Sequence, residues 1–109
     1  MFVKCFITIL TLFVLSGNAL ASGDGQAGQI VYDAKCKICH GADGKGNPPI
    51  AKTLNATLPD MTSPEIQRKT DDEFKKQITE GRGKMQPVKG LTDQQITDVI
   101  AFIRSRAKS

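Results

Sequence analysis

Hydrophobic positions along this chain recur at helical spacing, and no segment alternates convincingly between apolar and polar residues as a strand would. The first helix is predicted from about Asp24, a candidate N-cap, to Cys36. Its apolar positions follow a period of 3.6 residues and are Ala27, Ile30, Val31 and Ala34. The pattern therefore predicts an all-α protein whose first helix buries one face.

Two capping boxes mark helices in the second half of the chain. Residues 70–73 match the S/T-x-x-E pattern, and their helix is predicted to run to Glu80 before Gly81 ends it. Residues 92–95 match the same pattern with glutamine and open the last helix. The apolar stripe of that helix consists of Ile96, Val99, Ile100 and Ile103, with Phe102 beside it.

A shorter helix is predicted to start with Ser63 as its cap and Pro64 at its first position. Residues 41–62, which precede it, hold three glycines and three prolines, so a long irregular segment is expected there. A loop of this length in a small domain requires a reason, and wrapping around a cofactor is such a reason.

Residues 1–21 have the features of a signal peptide and are left out of the fold. Lys4 supplies the positive start, residues 6–15 are apolar apart from two threonines, and residues 19–21 form a small-x-small cleavage site. Cleavage after Ala21 would leave residues 22–109 as one exported domain, periplasmic or secreted. The apolar stretch is shorter than the roughly 20 residues of a membrane helix, although a retained anchor is the alternative.

The segment Cys36-Lys37-Ile38-Cys39-His40 is the most specific motif, because C-x-x-C-H is the attachment signature of haem c. Residues at i, i+3 and i+4 share one face of a helical turn, so both thiols and the imidazole can reach one macrocycle. His40 is the only histidine and is therefore the expected proximal iron ligand.

The alternatives for this motif are a chance match, a zinc site and a thioredoxin-like redox pair. A structural zinc site needs four ligands, and the chain after residue 21 has no further cysteine or histidine. A redox pair of the thioredoxin type would be expected within a βαβ pattern, which this sequence lacks.

The second axial ligand is expected to be Met85. It lies in residues 81–90, a segment with three glycines and a proline between two helices, where it belongs to no apolar stripe. The competitor, Met61, stands just before a helix start and suits a packing role there. An open or otherwise ligated iron is the remaining alternative. Histidine and methionine ligation raises the haem reduction potential and leaves no open coordination position, which favours electron transfer over catalysis.

These motifs resemble those of the class I cytochromes c, of the small bacterial monohaem kind, over essentially all of residues 22–109. Residues 28–41 resemble the N-terminal helix and haem box of that family, and residues 91–104 resemble its C-terminal helix. Residues 84–87 resemble its methionine loop, with Gln86 inserted where the family more often has adjacent methionine and proline.

The resemblance implies about four helices wrapped around one covalently bound haem c, attached through Cys36 and Cys39. It implies that the first and last helices cross, with Gly28 against Phe102. It also implies that a proline carbonyl accepts the second N–H of His40, and Pro48 is the matching residue, with Pro49 close behind.

The net charge of +4 is distributed unevenly. The lysines that flank the two haem-contacting segments are Lys35, Lys37, Lys45, Lys84 and Lys89. In the family's fold they would surround an exposed haem edge, which suggests docking to acidic patches on redox proteins, including membrane oxidase or reductase complexes. A solvated mixed surface is the competing interpretation. No nucleic-acid partner and no small-molecule substrate are expected, and the protein is expected to be a monomer.

The sequence therefore predicts a periplasmic one-electron carrier with a single haem c ligated by His40 and Met85, and no enzyme activity. Two alternatives remain. In the first, the protein is the haem subunit of a dehydrogenase complex. In the second, it is a ligand-binding or sensory haem protein in which Met85 can dissociate from the iron.

Overall fold

The structure, a computed structural model, describes residues 23–108, so the expected signal peptide and its cleavage after Ala21 lie outside the described residues. Six helices follow in the order α1 (Gly25–Lys35), α2 (Lys37–His40), α3 (Pro48–Leu54), α4 (Pro64–Gln67), α5 (Asp71–Glu80) and α6 (Asp93–Ser105). The β-type pairing recorded in this range is an isolated bridge between Arg82 and Met85. The all-α prediction is confirmed for residues 23–108, where no helix is long and apolar enough to cross a membrane.

The main helices start where the cap residues predict. The Asp24 carboxylate accepts two backbone N–H groups of the first turn of α1. At α5, Thr70 Oγ1 accepts the Glu73 N–H at 3.1 Å, and the Glu73 carboxylate accepts the Thr70 N–H at 2.9 Å. Thr92 and Gln95 repeat this exchange at α6 with the same two distances. Local side-chain chemistry is therefore sufficient to place these boundaries.

The expectation of an irregular segment over residues 41–62 is wrong in part, because it contains α3. Pro48 and Pro49 occupy the first positions of this helix, where a backbone N–H has no partner to lose and the fixed φ of proline suits the helix. The helix ends where Asn55 adopts a left-handed conformation with φ 49°. Together with α2, which follows α1 after a break at Cys36, α3 raises the number of helices from about four to six.

The first and last helices cross in close contact at Gly28. A Cβ atom on this residue would overlap the carbonyl oxygen of Asp98 and lie 2.9 Å from the Val99 nitrogen. The atoms nearest to such a Cβ belong to the α6 backbone at Asp98 and Val99, and the expected pairing of Gly28 with Phe102 stays a prediction. The Phe102 ring packs on Tyr32 of α1, with ring centroids 5.0 Å apart and the planes inclined at 49°.

The buried core joins α1, α5 and α6. Its apolar members are Val31, Tyr32, Phe74, Ile78, Ile96, Val99, Ile100, Phe102 and Ile103. The apolar stripe predicted for α1 is wrong at two positions, since Ile30 is 73% exposed and Ala34 is exposed as well. The buried face of α1 instead contains Gly28, because only glycine permits this helix to approach α6 so closely.

We predict that Gly28→Ala lowers the free energy of unfolding by about 2–4 kcal/mol, because the added methyl group meets backbone atoms that cannot rotate away. Gly25→Ala on the same helix is the control, since its Cβ would lie no closer than 4.0 Å from the Phe102 Cα. It should change stability by less than about 1 kcal/mol. Denaturant unfolding of the purified proteins measures both values, and equal effects would contradict the crossing geometry.

Candidate functional site

The two cysteines and the histidine of the C-x-x-C-H motif are brought together at the end of α1. The Cys36 N–H still donates to Tyr32 in the pattern of α1, and the His40 N–H donates to the Cys36 carbonyl at 3.0 Å within the next turn. Cys36, Cys39 and His40 are all half-buried and neither thiol is in a disulfide, whereas Ile38 between them is 68% exposed. The three reactive side chains therefore lie on the less exposed face of this turn.

The surroundings of His40 favour the chemical form that a metal requires. Its Nδ1 atom is buried and has no hydrogen-bond partner. Burial lowers the pKa of His40 below its usual value, which favours the neutral imidazole, the form in which a ring nitrogen can bind a metal. Pro48 is exposed as the first residue of α3, and its carbonyl does not accept a hydrogen bond from His40 Nδ1 in this structure. The expected bond stays a prediction for the haem-bound protein.

Tyr32 fixes the residue that follows the motif. Its hydroxyl donates to the Gly41 carbonyl at 2.6 Å, and its side chain is almost fully buried. Gly41 has a φ of 80°, and a Cβ atom there would lie 3.0 Å from Asp43 Oδ1 and 3.1 Å from the Gly46 carbonyl oxygen. A residue with a side chain would be strained at this point, which explains why glycine closes the haem box.

Met85 lies in a hydrogen-bonded turn between α5 and α6. The Arg82 and Met85 backbones exchange two hydrogen bonds of 3.0 and 2.9 Å, and the Val88 N–H ties the following residues to Ile78. The Met85 sulfur is 3.8 Å from the Gln77 amide nitrogen, which donates to it. Gln77 did not emerge from the sequence, although its place between Phe74 and Ile78 puts it at the edge of the buried face of α5.

Met61, the competing ligand, is half-buried and packs against the core. Its N–H donates to the Gly44 carbonyl at 2.9 Å, and its carbonyl accepts from the Gln67 side chain at 2.8 Å. These contacts fit the packing role predicted for it.

The donor set and its surroundings fit a haem. The motif offers two thiols and a neutral imidazole, and partly covered apolar residues, among them Val88 and Leu91, pack against the core. Between residues 23 and 108 no group of three or more His, Cys, Asp or Glu side chains is arranged to hold a metal ion directly. A haem needs only the axial ligands from the protein, because the porphyrin supplies the other four.

Comparison with known families decides the assignment. The Cytochrome c family profile matches residues 25–107. The chain belongs to the cytochrome c family. It therefore carries one covalently attached haem c and is a haem electron carrier that exchanges electrons with redox partners. The class I fold that the sequence predicted, with its crossing first and last helices, is confirmed.

Two curated relatives are similar over most of this cytochrome. Cytochrome c6 of Thermosynechococcus vestitus (strain NIES-2133 / IAM M-273 / BP-1) is 34% identical over 104 residues, which are 94% of this chain and 88% of the relative. Cytochrome c6 of Leptolyngbya boryana is 34% identical over 86 residues, which are 78% of this chain and 95% of that one. Among solved structures, the KustC0563 c-type cytochrome superimposes with a TM-score of 0.64 and 30% identity, over 74% of this chain and 98% of its own.

We predict that Tyr32→Phe lowers the free energy of unfolding of the haem-bound protein at neutral pH by about 1–2 kcal/mol, because the Gly41 carbonyl loses its partner. Burial raises the pKa of Tyr32 from 10.0 to about 12, so the folded state of the wild type disfavours the phenolate. The stabilisation is complete below pH 10 and is lost as pH rises toward 12. The difference between wild type and Tyr32→Phe should therefore shrink over that interval.

The control for this prediction is Thr53→Val, which removes an exposed hydroxyl that donates to the Pro49 carbonyl at 3.0 Å. It should cost less than about 0.5 kcal/mol, because water replaces the lost partner. Denaturant titrations at several pH values measure both variants. A Tyr32→Phe difference that persists unchanged above pH 12 would rule out the phenol as its cause.

Proposed function

We propose that this cytochrome is a monomeric, periplasmic one-electron carrier whose haem iron is ligated by His40 and Met85. The observation that carries the proposal is the placement of the Met85 sulfur. It lies on a turn fixed by two backbone hydrogen bonds and is oriented by the Gln77 amide. Met61 is engaged in packing and in backbone contacts that tie it to the core.

The haem supplies the redox chemistry, and this chain supplies its attachment, ligands and surroundings. Cys36 and Cys39 would form the thioether bonds that hold the haem beside His40. His40 and Met85 would hold the iron, and the Met85 thioether would favour the reduced state and leave no open position for a substrate. Electron carriage without catalysis is the activity that this arrangement supports.

The location follows from residues 1–21, whose sequence has the pattern of a cleavable leader. Export agrees with the chemistry of the site, because thioethers of c-type cytochromes are made outside the cytoplasm. The intact mass of the exported protein tests the leader and the haem together. A mass that includes residues 1–21 would identify a retained anchor.

We predict that Met85→Ala abolishes the weak far-red absorption band that marks sulfur–iron ligation in the oxidised class I cytochromes c. The reduction potential should fall at the same time, because the thioether no longer stabilises the reduced iron. Met61→Ala is the matched control. It should keep the band and lose about 1–3 kcal/mol of stability, since it removes a partly buried side chain from the core. Retention of the band in Met85→Ala would overturn the ligand assignment.

The docking surface is proposed to be formed by Lys35, Lys37, Lys45 and Lys89. Each is exposed, and none makes a side-chain hydrogen bond or ion pair with another described residue. Lys84, the fifth lysine of this group, is instead bonded to two backbone carbonyls. Four uncommitted ammonium groups beside the haem-binding segments would attract an acidic patch on a redox partner.

We predict that Lys37→Gln slows electron transfer to the anionic oxidant ferricyanide by about twofold at low ionic strength. Lys76→Gln removes the same charge from the exposed face of α5 and should have a smaller effect. The difference should disappear in high salt, where the Debye length is only a few ångströms. With a cationic cobalt complex as the oxidant, Lys37→Gln should instead speed electron transfer. Rates independent of salt in the wild type would eliminate electrostatic steering.

A further inference from the structure

Helix α3 is anchored at its start to the segment that carries His40. The Gly46 N–H donates to the His40 carbonyl at 2.7 Å, and the Asn47 N–H donates to the Cys39 carbonyl at 2.9 Å. The Asn47 side chain adds a third bond, to the Ile38 carbonyl at 3.0 Å. Three consecutive carbonyls of the haem-attachment motif thus hold the residues that immediately precede α3.

The other end of α3 is bonded to the loop that carries Met85. The Lys84 ammonium donates to the Leu54 carbonyl at 2.6 Å and to the Asn55 carbonyl at 2.7 Å. Carbonyls at a helix C-terminus lack intrahelical donors and carry the negative end of the helix dipole. The Lys84 ammonium supplies these carbonyls with donors and places a positive charge at the negative end of the dipole. It also joins two segments about thirty residues apart in sequence.

Lys84 immediately precedes Met85 in the turn formed by residues 82–85. The turn is closed by the Arg82 and Met85 backbones and includes Gly83 at φ 56°. In such a tight turn, a side chain fixed at Lys84 restricts where the next residue lies. The contacts therefore run without interruption from the backbone of His40, through α3, to the residue before Met85.

We propose that Lys84 is a positioning residue, which holds the Met85 loop against α3 and so fixes the methionine relative to the histidine side of the site. This inference rests on the proposed ligation of the iron by Met85. It assigns the exposed Lys84 to the contact between the Met85 loop and α3 rather than to the docking surface. Because the acceptors of Lys84 are backbone carbonyls, this contact does not depend on the identity of the side chains at residues 54 and 55.

The test is an imidazole titration of the oxidised, haem-bound protein, in which imidazole competes with Met85 for the iron and the far-red band reports the exchange. Lys84→Gln should bind imidazole about five- to tenfold more tightly than the wild type, because a loosened loop holds methionine less well. Lys84→Arg keeps a cationic donor able to reach carbonyl oxygens and should lie between the two.

Lys89→Gln is the matched control, since it removes one charge from an exposed position in the same loop that makes no recorded side-chain bond. Its imidazole affinity should stay within about twofold of the wild type. Equal affinities in Lys84→Gln and Lys89→Gln would overturn the inference, even if thermal stability differs. Met85→Ala, run in parallel, separates the two hypotheses: retention of its band refutes the ligand assignment, whereas its loss leaves the result for Lys84 decisive.

Discussion

The backbone contact between α1 and α6 at Gly28 is the constraint on which the site depends. Gly28, Tyr32 and Cys36 are spaced by four residues and therefore follow one another along one face of the first helix. The first makes the helix crossing, the second bonds the Gly41 carbonyl, and the third begins the haem-attachment motif. A change in how α1 sits on α6 would therefore shift the tyrosine and the cysteine together.

The protein interior is small, and this explains why the cofactor is structural as well as chemical. Nine apolar residues are buried in the described chain, and five further ones pack against them while still partly exposed, Cys36 and Met61 among them. A domain of this size buries a comparatively small part of its surface. Attachment of a haem through Cys36 and Cys39, as proposed, would add a large, flat, apolar group to the buried area of this small interior.

Features fixed by local chemistry could be predicted from the sequence, and those fixed by distant contacts could not. The capping boxes at Thr70 and Thr92 have short-range causes, so the positions of the helices that they begin were predicted correctly. Helix α3 was missed because prolines were counted as breakers without regard to position, although the first turn of a helix tolerates them. Ile30 was misplaced because hydrophobic periodicity gives no weight to glycine, and here glycine defines the buried face.

The contact of Lys84 with α3 lies beyond any sequence pattern, because its acceptors are backbone carbonyls, which every residue carries. The same holds for the Gln77 amide, whose direction toward Met85 depends on how the following loop folds back. The acceptors of Lys84 and the direction of the Gln77 amide could be recognised only in the tertiary structure.

Long basic side chains in this cytochrome complete the ends of short helices. Lys84 donates to the carbonyls that end α3. Arg104 of α6 donates to the carbonyl of Gln67, the last residue of α4, and to that of Lys69 just after it, both at 2.6 Å. Short helices leave a large fraction of their carbonyls without partners, and a lysine or arginine from a distant segment supplies several donors at once. Part of the positive charge of the chain is thus needed to hold together a fold built from helices of four to thirteen residues. The positive charge available for partner recognition is therefore that of the lysines that make no such contact.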